Sequence, residues 1–188
     1  MDKRSVRRSC FAAIKSLSAE EKTRRSAEIA ATIESKTAFR EAKVIFSYLA
    51  LASEPNLEAL VERHPEKIWA FSRVREDGSR LSFHEVRSGK GLRMGDFGFL
   101  EPDPDLCPER TKPDLVLVPG VGFDPNNRAR LGRGKGHYDR FLGPLKAAPE
   151  SPTVFGICFS IQQVPLEPES HDVAMDGLIT DAGVSSGF

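Results

Sequence analysis

The sequence predicts an α/β fold: a single three-layer α/β/α domain over residues 1–188, with a largely parallel central sheet and an inserted hairpin. Three observations predict it. The runs at 43–51 (KVIFSYLAL), 114–119 (DLVLVP) and 153–159 (TVFGICF) are continuously apolar, the pattern of strands covered on both faces. Stretches of helical spacing separate apolar strands, which favours helices crossing between parallel neighbours. Asp77-Gly78, between 67–74 (KIWAFSRV) and the alternating 80–86, is a tight-turn signal and marks the hairpin.

Along the chain, Val6, Cys10, Ile14 and Leu17 recur at helical spacing, so residues 3–17 read as an amphipathic helix. Ser18 followed by Glu21 is a capping-box pattern that opens a second helix, with Ile29 and Ile33 on its inner face. After the strand at 43–51 comes a loop at 53–56, then a short helix at 57–63. Between 88 and 113 the composition shifts to Gly, Pro and Asp, and so long a connection in a compact domain is more often functional or mobile than idle. The strand at 114–119 feeds a polar, glycine-dense segment at 120–136, and a helix opens at 137–142. A buried strand at 153–159 and a short one at 177–180 complete the order. Ligands in such sheets sit beyond the carboxyl ends of the strands. Three segments leave predicted strands at that edge: the loop with Glu54, the loop 120–136, and the chain after Phe159.

Composition narrows the function. The 188 residues carry 27 Lys+Arg and 27 Asp+Glu, a balance unlike that of a dedicated nucleic-acid binder. No run approaches the ~20 apolar residues of a bilayer-crossing helix, and the N-terminal segment lacks the apolar core of a signal peptide. Cys10, Cys107 and Cys158 are widely spaced without a Cys-x-x-Cys, which argues against a disulfide framework or zinc site and for a reducing, cytoplasmic setting. The zero net charge hides a separation. The first 25 residues hold eight Lys+Arg against three acids, residues 128–140 hold five cations, and after Lys146 there are six acids and no Lys or Arg.

The most informative segment is Arg130-Leu131-Gly132-Arg133-Gly134-Lys135-Gly136-His137-Tyr138-Asp139. Its glycines let the backbone turn and approach a ligand, its cations suit phosphates, and the helix it feeds presents N-terminal amides. It is not a Walker A loop, because Gly136 rather than Ser or Thr follows Lys135. Asp139 at the helix start fits two roles: a helix-dipole partner, or a magnesium carboxylate beside a polyphosphate. Asp172 is either a surface acid or the second such carboxylate. Lys3 with Arg7, and Arg4 with Arg8, each share a helix face, as a solvated stripe or as a clamp over phosphates. Glu54 is an exposed loop acid or a two-oxygen acceptor for an amino-pyrimidine. Phe97 and Phe99 are core residues or an aromatic wall of a site. No nucleophile elbow and no metal-ligand histidine spacing occurs.

Pro119-Gly-Val-Gly-Phe-Asp124 followed by Arg130–Leu142 resembles the signature of the 5-formyltetrahydrofolate cyclo-ligase family, also called 5,10-methenyltetrahydrofolate synthetase. The resemblance extends over nearly the whole chain, through the opening Lys3-x-x-Val6-Arg7, the strand leading to Glu54, the Phe97-Gly-Phe-Leu-Glu-Pro102 segment and the closing Val164-Pro…His171-Asp172. It implies a three-layer α/β/α domain and an ATP- and magnesium-dependent ring closure on a reduced folate. Under that resemblance Lys3, Arg7 and the stretch Arg130, Leu131, Gly132, Arg133, Gly134, Lys135, Gly136, His137 and Tyr138 hold ATP. Leu49, Glu54 and residues 133–138 line the folate side, and Asp139 and Asp172 carry Mg2+. Arg133, Lys135 and Tyr138 are the implied catalytic group. The partners implied are small molecules, without nucleic acid or membrane, for a monomer or weak homodimer. Two departures stand out: Pro55-Asn-Leu57 after Glu54, where the family has an aliphatic residue, an acid and Thr, and His137 where many members have Tyr.

Overall fold

The computed structural model describes residues 2–87, 91–95 and 98–186. Helix α1 (Lys3–Lys15) starts where the Asp2 carboxylate accepts from the Arg4 and Ser5 amides, and it turns Val6, Cys10 and Ile14 inward. It stops two residues short of the predicted end, where the Ser16 amide closes the last turn and Ser18 caps the next helix. Helix α2 (Ala19–Glu34) opens on the full Ser18–Glu21 capping box. A single helical turn, α3 (Thr37–Glu41), which the sequence pattern did not indicate, seats Phe39 in the core.

The first strand, β1 (Val44–Ser47), is shorter than the apolar run that predicted it. Beyond Ser47 the chain leaves the ladder, and the Glu54 amide donates to the Leu51 carbonyl at 2.9 Å to close a turn. Tyr48, Leu49 and Leu51 are apolar because they line the core or a cleft, not because they pair. Then follow α4 (Glu58–Arg63), β2 (Ile68–Val74) and β3 (Leu81–Glu85), the last two forming the predicted antiparallel hairpin.

In its described residues the Gly/Pro-rich connection is more regular than its composition indicates. It contains β4 (Leu92–Met94) and β5 (Leu100–Pro102), paired as a separate ribbon, and β6 (Glu109–Arg110), which extends the main sheet beside β3. Strand β7 (Leu115–Pro119) is fully buried. The glycine-dense segment includes a second small ribbon, β8 (Gly122–Phe123) with β9 (Arg130–Leu131). Helix α5 (His137–Lys146), β10 (Thr153–Ile157), β11 (Gly177–Thr180) and β12 (Gly183–Ser186) complete the order.

The main sheet runs β12-β11-β10-β7-β1-β2-β3-β6. Its five inner strands from β11 to β2 are parallel, and both flanks are antiparallel. Alternate side chains serve opposite layers. Ile45, Trp69, Leu117 and Phe155 pack with Ile29, Ile33 and Leu60 from α2 and α4. Phe46, Val116, Val118 and Val154 pack with Leu142 from α5. Phe46 stacks on Phe83 with centroids 4.4 Å apart, so the many phenylalanines do form core. Helices thus cover both faces, as the three-layer prediction required. Helix α1 lies apart, packing Val6 and Cys10 on Val121 and Leu131 of the small ribbon.

From β1 the chain moves to β2 on one side and returns to β7 on the other. The crevice at such a reversal opens between the carboxyl ends of β1 and β7, the expected place for a ligand.

Candidate active site

A cleft of about 350 Å³ lies at that reversal. Leu49 and Glu54 after β1, the end of β2, Pro119 and Gly120 after β7, and the glycine-rich loop form its walls. Of the predicted residues, Leu49, Glu54, Arg130, Gly132, Arg133, Lys135, Gly136, His137 and Tyr138 line it. The chain after Phe159 is not among its lining residues. It buttresses the site instead, since the Gln162 side-chain amide donates to the carbonyls of Gly120 and Val121 at 2.9 and 3.0 Å.

Glu54 is covered, with its side chain only 9% exposed. One carboxylate oxygen accepts from the Leu51 amide at 3.0 Å, and the other lies 3.4 Å from the Arg133 guanidinium. Burial raises the Glu54 carboxyl above its ordinary range, against the opposing pull of the Leu51 amide and Arg133. Arg133 also donates to the Ser53 hydroxyl at 2.8 Å and lies over the Phe11 ring. It therefore links the glycine-rich loop to the carboxylate segment and to α1.

The loop itself is shaped by close approaches. A Cβ on Gly132 would stand 2.7 Å from the Arg130 guanidinium, so a larger residue there would have to displace it. Gly136, at φ +64°, forms the left-handed step into α5, whose N-terminus has no side-chain cap. Uncapped amides at a helix start are donors for an anion. His137 and Arg140, on the first turn, donate to the Gly78 and Ser79 carbonyls at 3.1 and 2.8 Å and pin the β2–β3 turn against the site.

Beneath the loop is a buried polar cluster. The Arg130 side chain is 4% exposed and pairs with Asp139 at 2.9 Å, with its guanidinium 5.2 Å from the Tyr138 ring centre. Burial pushes the Tyr138 phenol well above its usual range, so it stays protonated. Among the described residues, Arg130 Nε and Asp139 Oδ1 are buried without a hydrogen-bond partner. Unsatisfied buried groups of this kind favour a site that a ligand completes.

Other predicted residues sit on the flank. Arg7 donates from Nε to the Gly132 carbonyl at 2.8 Å, which fixes α1 to the loop. Lys3 pairs with Glu169 at 2.8 Å and Asp172 at 3.1 Å. Although burial opposes it, the Glu169 amide and Lys3 hold the Asp172 carboxyl below its ordinary range. Leu131 is buried beneath the cleft in the β8–β9 ribbon, and Gly134 turns outward near Arg7. Phe97 lies outside the described residues. Phe99 lines the cleft and is half exposed, a wall rather than core.

Tyr48 and Arg73 are among the cleft residues that the sequence reading missed. Tyr48 lines the cleft directly after β1. Arg73 does so from β2, with its guanidinium 3.2 Å from Glu101 of β5. The available signal for Arg73 was a cation at an inward position of KIWAFSRV.

The fold and the cleft define an α/β protein with a carboxylate-bearing pocket opening onto a cationic, glycine-rich loop. Residues 1–181 match the 5-formyltetrahydrofolate cyclo-ligase family. The 5-formyltetrahydrofolate cyclo-ligase of Saccharomyces cerevisiae is 37% identical over 119 residues, 59% of this chain and 56% of that protein. The enzyme of that name from Mycolicibacterium smegmatis is 32% identical over 145 residues, 73% of each. The solved 5,10-methenyltetrahydrofolate synthetase of Aquifex aeolicus superposes with a TM-score of 0.83 at 30% identity, covering 98% of this chain and 92% of that one. The chain belongs to the 5-formyltetrahydrofolate cyclo-ligase family, a family of enzymes. No helix among the described residues is long and apolar enough to cross a membrane.

Proposed function

We propose that residues 1–188 act as one catalytic unit that uses ATP and magnesium to close 5-formyltetrahydrofolate to 5,10-methenyltetrahydrofolate, releasing ADP and phosphate. The observation that carries this reading is the single cleft in which Glu54 and the cationic loop meet through Arg133. Glu54, fixed by the Leu51 amide, accepts the amino and ring N–H donors of the pterin, with Leu49 beside it. Arg133 and Lys135, the α5 amides, and Lys3 and Arg7 from the flank take the phosphates. The N5-formyl oxygen attacks the γ-phosphorus and ADP leaves. N10 then attacks the formyl carbon and gives up its proton, the C–O bond breaks, and phosphate departs, taking that proton into solution, with the ring closed.

No protein nucleophile is required. Arg133, Lys135 and Tyr138 act by positioning the formyl oxygen and meeting the charge that develops on the transferred group. Magnesium fits this donor set in a specific way. Among the described residues no cluster of three or more His, Cys, Asp or Glu stands ready to hold a metal ion, whereas Asp139 keeps one buried oxygen free of partners. A cation carried largely by phosphates, with Asp139 as its protein oxygen, suits that arrangement. Asp172, engaged by Lys3, is the second carboxylate of the proposal. Bound there, magnesium neutralises phosphate charge.

The test mixes protein, ATP, magnesium and 5-formyltetrahydrofolate and follows the near-ultraviolet absorbance of the methenyl product. ATP-dependent growth of that absorbance is expected. Binding of both substrates without product would identify a non-catalytic folate or nucleotide binder and overturn the reading. The cell compartment proposed for the reaction is the cytoplasm.

A further inference from the structure

Glu54 sits on a short loop, and a carboxylate that must meet two donors at once needs that loop held still. One side of the loop is closed by its own backbone, through the Glu54 amide to Leu51 O and the Leu51 amide back to the carboxylate. On the other side stands Pro55, which is buried and has no amide to donate. Its carbonyl accepts the Tyr48 hydroxyl at 2.9 Å. Tyr48 is 5% exposed and packs in the same cluster as Leu57 and Leu60, so its ring cannot follow a moving loop. We infer that Tyr48 is the positioning residue of the pterin carboxylate, acting through the Pro55 carbonyl to fix Glu54.

Three other side chains tie this segment, and none does the same work. Arg133 donates to the Ser53 hydroxyl at 2.8 Å and lies 3.4 Å from the Glu54 carboxylate, but its own side chain is 43% exposed. Lys22 reaches the Ala52 carbonyl at 3.1 Å across an exposed surface, where a long side chain is a loose tether. The Asn56 amide donates to the Ser26 hydroxyl at 3.1 Å, one residue further from Glu54. The Tyr48 bond is the buried one, and hydrogen bonds hold geometry more firmly in a low-dielectric interior. Burial also keeps the phenol far above its usual range, so the donor persists at any working pH.

This assignment rests on the folate reading of the cleft. Tyr48→Phe keeps the ring and its packing and deletes only the hydroxyl. The expected result is a rise of about 5–10-fold in KM for the reduced folate, the size of one lost positional hydrogen bond. KM for ATP should stay within about twofold of the parent, since the loop cations are untouched. The same substitution in a Glu54→Gln background should add little, because the group being positioned is already gone.

Equal rises in both KM values, or an additive double variant, would show a general loosening of the fold and overturn the assignment. An unchanged folate KM in a competent enzyme would do the same while leaving the proposed function standing. A parent protein that makes no methenyl product brings down both readings together. Should Tyr48→Phe fold poorly, Lys22→Met tests the contrast from the other side: it should leave folate KM unchanged, and a rise as large as 5–10-fold would refute the special role of Tyr48.

Discussion

Replacing Asp139 by Ala removes the carboxylate that faces a guanidinium buried to 4% exposure. Among the described residues Arg130 then keeps the Tyr138 ring, 5.2 Å from its central carbon, as an electrostatic partner near the cleft. Breaking one side of a buried ion pair costs roughly 3–5 kcal/mol. The aromatic face returns about 1 kcal/mol of that, leaving a loss of about 2–4 kcal/mol. With a urea slope of about 2 kcal/mol/M for a domain of this size, the unfolding midpoint should fall by about 1–2 M. Urea titrations followed by far-ultraviolet circular dichroism provide the assay, with the slope expected to stay constant. Asp139→Asn keeps an oxygen for Arg130 and should lose less stability, while the magnesium needed for turnover rises. A loss under about 1 kcal/mol for Asp139→Ala would refute the view that Arg130 depends on this carboxylate. An unaltered magnesium requirement in Asp139→Asn would confine the residue to holding Arg130.

Lys135→Ala should lower kcat/KM for ATP by about 10–100-fold, the worth of one charge-assisted contact, with the folate KM much less affected; steady-state kinetics in each substrate decides it. Glu54→Gln should raise folate KM by about tenfold or more and also change stability with pH. Because burial raises the native carboxyl value, the protonated form is the one the fold favours, and parent stability declines as pH climbs through that value. The Gln variant escapes that decline, so thermal melts should show it more stable than the parent at neutral pH and equal to it in acid. Gly156→Ala would place a Cβ 2.6 Å from Phe123 and 2.7 Å from Leu178, both core side chains, and should cost about 1–3 kcal/mol in denaturant unfolding.

Local chemistry was legible where a few neighbouring residues carry the whole signal. Ser18 and Glu21 announce α2 because both halves of the capping box lie within four residues. Three glycines with interleaved cations announce the cationic loop that lines the cleft for the same reason. The end of β1 was not legible, since Tyr48 and Leu49 are as apolar as strand residues but face a core and a cleft. Nor were β8 and β9, whose two-residue pairing is too short to show a period. At the site, the positions of Glu54 and the loop followed from the sheet-edge rule. The contacts of Arg7 with Gly132 and of Tyr48 with Pro55 join atoms that no pattern of residue types relates. Asp139 shows the sharper limit: sequence offered a helix-start acid or a metal carboxylate, and the fold adds a third duty, as counter-ion to Arg130.

The bond from Arg7 to Gly132 spans 125 positions. During synthesis α1 emerges with Val6 and Cys10 facing no partner, and it must wait for Val121 and Leu131 before they are covered. Closing the chain over such a distance carries a larger entropy cost than closing it within neighbouring elements. The glycine-rich loop therefore gains its tether to α1 only once residues 120–132 have emerged, and slow growth of the chain through them would prolong the interval in which α1 is open to chaperones and proteases.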